Sequence, residues 1–254
     1  MRNKVKRGFV RALWGIYEHS GRRFFKRRGK LDNDIKLAQA CPYAEPFRTY
    51  VFGEDNYKFL VDKGFNCKLV DKKPIVWDMN KKQFRHKLEV FKCGMEDYNE
   101  IVFLDWDCFP IKPLPDNFWE VLGKKEPIQA ILRMYHRRKA YWRGGVDVRK
   151  IPCASFVYIR DKEVTLDLIK MWEKLNRPWS EEVVLARYMD ERIGGWKGMD
   201  KYWEFYEPDF FRLQEARVFP VQKLNEKNQC FRHLNMHGVS KYLKLFNRGQ
   251  LKQW

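Results

Sequence analysis

The chain has 254 residues, 44% apolar and 16% aromatic, enough to bury a substantial core in one enzyme-sized unit. No apolar run approaches the roughly 20 residues of a membrane span; the basic N-terminus is not followed by a signal-type apolar stretch; and the six cysteines, 15 or more residues apart with no Cys-x-x-Cys, exclude a disulfide scaffold and a thiolate zinc site. The 51 Lys and Arg against 33 Asp and Glu leave a net charge of +18, a field that concentrates polyanions and that an enzyme of neutral metabolites does not need.

The expected protein is cytoplasmic, with reduced and mostly buried thiols. Residues 8–17 read as a first strand, and residues 22–30 carry six basic groups and no acid. Residues 49–53 read as a second strand running into a helix over 55–63, and 66–70 as a third strand. A helix is expected over 81–98, with Phe84, Leu88, Phe91 and Met95 at i, i+4, i+7 and i+11; it feeds a strand over 100–104. Strand alternating with helix makes a parallel sheet, whose ligands bind beyond the carboxyl ends of the strands. Beyond it the pattern is mixed: strands over 128–134 and 155–159, helices over 162–175 and 180–191, and a loop with Gly194, Gly195 and Gly198. No repeat or low-complexity linker divides the chain, so a single domain is expected.

Asp105 and Asp107 directly follow the apolar run Ile101 to Leu104. Residues i and i+2 at a strand end point the same way, so two carboxylates there can converge on a metal ion; an acidic strand end in solvent is the plain alternative. A second basic segment, 133–150, interleaves Arg133, Arg137, Arg138, Lys139, Arg143, Arg149 and Lys150 with Tyr135, Tyr141 and Trp142 against one acid, Asp147. In both segments, 22–30 and 133–150, cations beside flat rings suit a nucleic-acid groove, and equally a solvated loop kept for solubility.

An apolar strand ending in Asp105-Trp106-Asp107, after a helix that opens near Arg85-His86-Lys87, with a late His237-Gly238-x-x-Lys241, resembles the nucleotide-sugar glycosyltransferases of the GT-A fold. The resemblance spans most of the chain, including the turn at Val51 to Asn56, the strand at Phe156 to Arg160 and the helix start at Trp179-Ser180-Glu181-Glu182. It implies an α/β fold with a Rossmann-like mixed sheet flanked by helices, the nucleotide-sugar half in residues 1–115 and the acceptor half in 116–254. It implies a nucleotide-sugar donor, such as a UDP-sugar, and Mn²⁺ or Mg²⁺ on its diphosphate, held by Asp105, Asp107 and His237. Counting back three from Gly238 lands on Asn235 where many members have His, so His233 and His237 both stand as candidates.

The same resemblance places Trp14 and Gly15 as a shelf for the base, with a core Trp as the competing reading, and Arg85, Lys87, Asp105, Trp106 and Lys241 at the donor. Glu181 and Glu182 stand where inverting relatives carry the acceptor-activating carboxylate; an N-cap at Ser180 with acids in the first turn explains them equally well. Phe103 to Asp107 also resembles the nucleophile motif of haloacid-dehalogenase phosphatases, but Cys108 and Phe109 stand where those have Gly-Thr, and a long α/β pattern precedes the pair.

For the acceptor, the net charge points to DNA, with Arg137, Arg138, Tyr141, Trp142 and Arg143 as contacts. A hydroxymethylated pyrimidine in virus DNA, modified in the host cytoplasm, is the leading expectation. The alternatives are a surface polysaccharide or glycolipid with peripheral membrane contact, and a non-catalytic basic nucleic-acid-binding protein, which leaves the Asp pair unexplained.

Overall fold

A computed structural model describes residues 5–41, 45–74, 82–110, 113–123, 127–134, 142–143, 146–147, 150–175, 180–192 and 231–233. The first half runs β1 (Arg7–Leu13), α1 (Gly21–Ala40), β2 (Phe47–Val51), α2 (Glu54–Val61), β3 (Cys67–Leu69), a 3₁₀ turn (Lys82–Phe84), α3 (Arg85–Asp97) and β4 (Glu100–Leu104). The second runs β5 (Cys108–Pro110), α4 (Phe118–Gly123), β6 (Ile128–Met134), β7 (Trp142–Arg143), β8 (Val146–Asp147), β9 (Lys150–Ile159), α5 (Lys162–Lys174), α6 (Glu181–Arg192) and β10 (Phe231–His233).

Six strands form one sheet in the order β3-β2-β1-β4-β9-β6. β1 pairs parallel with β2 and β4, and β2 with β3, as strand-helix alternation predicts. β9 lies antiparallel to both β4 and β6, which makes the sheet mixed. The β1 side chains alternate between two cores. Val10 and Ala12 join Leu88 and Phe91 of α3, Leu168 and Trp172 of α5 and Val183 of α6. On the other face Phe9 meets Phe118 and Leu122 of α4, and Leu13 meets Leu31 and Ile35 of α1. Period-two strands covered by helices on both faces produce this layering.

Two expectations change. The first strand ends at Leu13 rather than at residue 17, because Gly15 takes a φ of 67°, which turns the chain away from the sheet. Residues 21–40, read only as a basic run, form the 20-residue helix α1. Its apolar anchors Leu31, Ile35 and Leu37 are confined to the second half, so the first half shows no apolar stripe from which a helix could be read.

Trp106 locks the two central strands together. Its Nε1 donates to the Ala12 carbonyl oxygen at 3.0 Å, and its ring meets Phe47 and Phe65 edge-on. The described cysteines Cys41, Cys67, Cys93 and Cys108 are free thiols, and among the described residues no helix is long and apolar enough to cross a membrane. Leu88 is fully buried where α3 meets the sheet. Leu88→Ala is expected to lower stability by about 2–5 kcal/mol, read as a fall in the urea unfolding midpoint.

Candidate active site

A cleft of about 530 Å³ opens at the carboxyl ends of β1 and β4. There the sheet order reverses direction, the position at which open α/β sheets bind ligands. Its floor is Ala12 to Trp14 and Asp105 to Asp107; Gln83, Phe84 and Lys87 make one wall, and α1 makes the other with Arg23, Lys26, Arg27, Lys30, Leu31 and Asp34.

Asp105 is held from two sides. Lys87 Nζ lies 2.9 Å from its carboxylate, and Ser155 Oγ donates to Oδ2 at 2.9 Å. The same ammonium lies 2.8 Å from Glu181 Oε1. Burial works against the charge on Lys87, but Asp105 and Glu181 outweigh it and raise its pKa. One ammonium therefore serves the buried Glu181 and the partly buried Asp105, and burial, with Glu182 and Asp105 adding to it, holds Glu181 above the usual carboxylate range despite Lys87. The backbone of the turn is gripped by Arg11, which donates to the Asp105 carbonyl at 3.0 Å and to that of Cys108 at 3.2 Å. The Arg11 guanidinium is buried 4.5 Å from the Phe47 ring centre and 5.3 Å from that of Trp106.

Asp107 is buried and faces Lys30 at 3.9 Å. Lys30 also lies 3.8 Å from the buried Asp34, whose carboxyl burial pushes up to about 7. Asp105 and Asp107 supply hard oxygen donors of the kind Mn²⁺ and Mg²⁺ take. Among the described residues no group of three His, Cys, Asp or Glu side chains converges into a metal cage, but β10 returns the chain to the Asp turn. It pairs antiparallel with β5, setting His233 opposite Cys108 in register, next to Asp107. The two carboxylates are of the chemistry a divalent ion takes, and β10 brings a histidine-bearing strand into register beside them.

Trp14 lines the cleft with its ring centre 5.5 Å from that of His86, which stacks at 3.9 Å on Phe52. Burial pushes the His86 imidazole down to about 4. Gly15 has the left-handed conformation only glycine adopts without strain, so the backbone beside Trp14 is bare.

The structure distributes the other sequence candidates differently. Arg85 turns to α5, bonding Glu173 at 2.8 Å and Glu89 at 3.2 Å, away from the cleft lining. Trp106 lines the cleft, but its indole is only 7% exposed and is engaged in the strand lock described above. Glu181 faces Lys87 behind the Asp pair, and Glu182 Oε1 accepts the Ala154 amide at 3.4 Å. Trp142 and Arg143 form β7, which pairs with β8 in a short hairpin. Arg137, Arg138, Tyr141, His237 and Lys241 lie outside the described residues.

Sequence reasoning missed Arg11, Ser155 and the cleft face of α1. For Arg11 the signal was an arginine inside the apolar run Phe9 to Leu13; for α1 it was the spacing of Arg23, Lys26, Arg27 and Lys30 at i, i+3, i+4 and i+7.

Lys87→Met is expected to cost about 3–5 kcal/mol, because it leaves the buried Glu181 and the partly buried Asp105 without a counter-charge, and Lys87→Met with Glu181→Leu recovers part of the loss in urea unfolding. His86 gives a pH signature. Its folded pKa lies below the unfolded value of 6.5, so its contribution is complete above pH 6.5 and is lost as pH falls towards 4. The stability of wild type relative to His86→Phe should drop by about 3 kcal/mol between pH 7 and pH 4, measured by urea unfolding at each pH.

No protein-family model and no curated protein matches the chain. Solved structures do. Mouse xyloside xylosyltransferase 1 aligns over 91% of this chain and 99% of its own, at 12% identity and a TM-score of 0.51. The galactosyltransferase LgtC, in complex with donor and acceptor sugar analogs, aligns over 95% of both chains at 13% identity and a TM-score of 0.47. A glycosyltransferase involved in glycosylation of the major capsid of PBCV-1 aligns over 94% of this chain and 99% of its own, at 11% identity and a TM-score of 0.49. At these identities the likeness is one of fold, and the mixed six-stranded sheet flanked by helices is that of GT-A-type glycosyltransferases.

Proposed function

We propose that this chain is a metal-dependent glycosyltransferase that takes a sugar from a nucleoside-diphosphate donor. The observation that carries this reading is the Asp105–Asp107 turn on the floor of a cleft at the sheet's switch point, with the histidine-bearing β10 paired beside it.

In the transfer, the bond from the sugar C1 to the β-phosphate oxygen breaks with its electron pair going to the diphosphate. The acceptor oxygen bonds C1, and its proton passes to an oxygen of the departing diphosphate or to water. Trp14 offers a face for the base, and Gly15 lets the nucleoside approach the backbone. Asp105, clamped by Lys87 and Ser155, presents a carboxylate that does not swing as charge builds in front of it. Asp107 and Asp105 would hold Mn²⁺ or Mg²⁺, which when bound takes up negative charge on the leaving diphosphate. Lys87 keeps three carboxyl-bearing elements, the β4 turn, α6 and its own α3, in fixed relation. Glu181, bonded to it, acts as a positioning residue in this reading rather than as the acceptor's base.

The acceptor proposed is a hydroxymethylated pyrimidine in DNA, supported by the net charge of +18 and the basic-aromatic segment 133–150. Segment 22–30 no longer counts towards it, since its Arg23, Lys26, Arg27 and Lys30 line the cleft. A glycolipid acceptor is the second reading, favoured by Phe25, which is 71% exposed on α1 with Arg22 and Lys26 exposed beside it.

The test incubates the enzyme and Mn²⁺ with a panel of UDP-sugars and with hydroxymethylated DNA, unmodified DNA or vesicles carrying a glycolipid. Sugar is expected on hydroxymethylated DNA alone; incorporation into lipid selects the second reading. Asp107→Ala should lower donor hydrolysis and transfer by about a hundredfold or more while leaving salt-sensitive DNA binding intact. Equal turnover in wild type and Asp107→Ala would remove the role given to Asp107, and no turnover of any donor by wild type would remove the glycosyltransferase reading.

A further inference from the structure

Helix α1 carries its cations on one stripe. Arg23, Lys26, Arg27 and Lys30 follow the i, i+3, i+4, i+7 spacing of a single helix face, and all four line the cleft. Arg28 points elsewhere: it stacks 3.6 Å from the Phe59 ring centre and bonds Tyr17 and Asp32.

The stripe brings more positive charge into the cleft than the cleft's own acids absorb. Five cationic side chains face three carboxylates there, and Lys87 is already bound to Asp105 and to Glu181 behind it. Arg28–Asp32, Lys30–Asp34 and Lys30–Asp107 are ion pairs of α1, and Lys26 and Arg27 take part in none of them. Burial, and then the like charge of Arg23, press the pKa of Arg27 down, with Glu18 only opposing them. A row of cations crowded this way is relieved by an anion.

Two members of the row, Arg27 and Lys30, lie at Gly15 and at the Asp pair. Arg27 Nη1 lies 3.7 Å from the point where a Cβ on Gly15 would begin, and His19 Nε2 lies 3.9 Å from the same point. Lys30 faces Asp107 at 3.9 Å. Arg27 and Lys30 are one helical turn apart, roughly 4.5 Å along the axis, so between them they span the gap from the base shelf to the Asp pair. Two buried donors at the shelf end, Trp14 Nε1 and His19 Nε2, have no hydrogen-bond partner. Guanidinium presents a fork that matches phosphate oxygens, and ammonium a point charge.

We infer that Arg27 and Lys30, flanked by Arg23 and Lys26 at the mouth, are the wall that holds the two phosphates of a nucleoside diphosphate between Trp14 and the Asp pair. The inference rests on the donor reading above and adds to it a protein-supplied hold on the diphosphate, separate from the Asp turn.

The experiment is calorimetric titration in EDTA of wild type with UDP, GDP and ADP, each against its own nucleoside. The preferred diphosphate should bind at least tenfold tighter than its nucleoside, and raising the salt should weaken the diphosphate and not the nucleoside. Arg27→Gln with Lys30→Gln should lower diphosphate affinity at least tenfold. Arg22→Gln with Lys36→Gln, which removes the same charge from exposed positions off the stripe, should change it less than twofold. The wild-type salt series needs no variant, and a thermal melt confirms that each variant is folded.

Equal losses in the two double variants, or no loss in either, overturns the wall. Nucleoside binding without any gain from the phosphates in wild type overturns the wall and leaves the donor reading standing. Absence of any nucleoside or nucleotide binding in EDTA overturns the wall, and its absence also with Mn²⁺ present overturns the donor reading.

Discussion

A single buried ammonium holds the catalytic edge of this protein in place. Lys87 leaves α3, lies 2.9 Å from Asp105 at the end of β4 and 2.8 Å from Glu181 at the start of α6. Two consecutive elements and a third more than 70 residues further on therefore share one charge balance. Removing two carboxylates and an ammonium from water costs several kcal/mol per ion, and only close geometry with the remaining bonds filled returns it. Ser155 supplies one of those bonds to Asp105. Arg11 does for the backbone what Lys87 does for the side chain, donating to the carbonyls of Asp105 and Cys108. The Asp turn is thus fixed at both its main chain and its carboxylate, so its geometry is set before any ligand arrives.

The cleft in front of this turn is built from elements with opposite tasks. α3 offers its wall with Lys87 already neutralised, whereas α1 offers a wall with charge to spare. α1 divides its length accordingly: Leu31, Ile35 and Leu37 anchor the second half in the core, and the first half carries the cationic stripe. An amphipathic second half thereby holds in place a first half whose own apolar packing is the partly buried Phe24. Asp34, buried between these halves near Lys30, marks the point where the stripe gives way to the core.

Much of the fold was legible in the chain. Phe84, Leu88, Phe91 and Met95 announced α3 because a helix repeating every 3.6 residues must show its buried face at those intervals. The apolar run before Asp105 announced a strand buried on both faces, and the pair itself announced a site, because two acids at the end of such a strand must point into a crevice. Trp14, Gly15, Lys87, Asp105, Trp106 and Asp107 were all named from sequence. All but Gly15 line the cleft, and Gly15 sits beside it.

What sequence determined, then, were the local periodicities, the strand end and the charge inventory, since these depend on neighbours within a few residues. Tertiary structure alone decided which charges meet. Arg85 and Lys87 are two residues apart and looked alike as donor contacts, yet a two-residue step on a helix turns the side chain about 200°, sending Arg85 to Glu173 and Lys87 to Asp105. Glu181 passed for a base at a helix start until α6 was seen to place it against Lys87. The basic run at 22–30 passed for a nucleic-acid surface until the turn at Gly15 and the packing of Leu31 and Ile35 aimed it at the cleft. Each of these outcomes rests on a contact between residues tens of positions apart, and no local pattern encodes the partner at that distance.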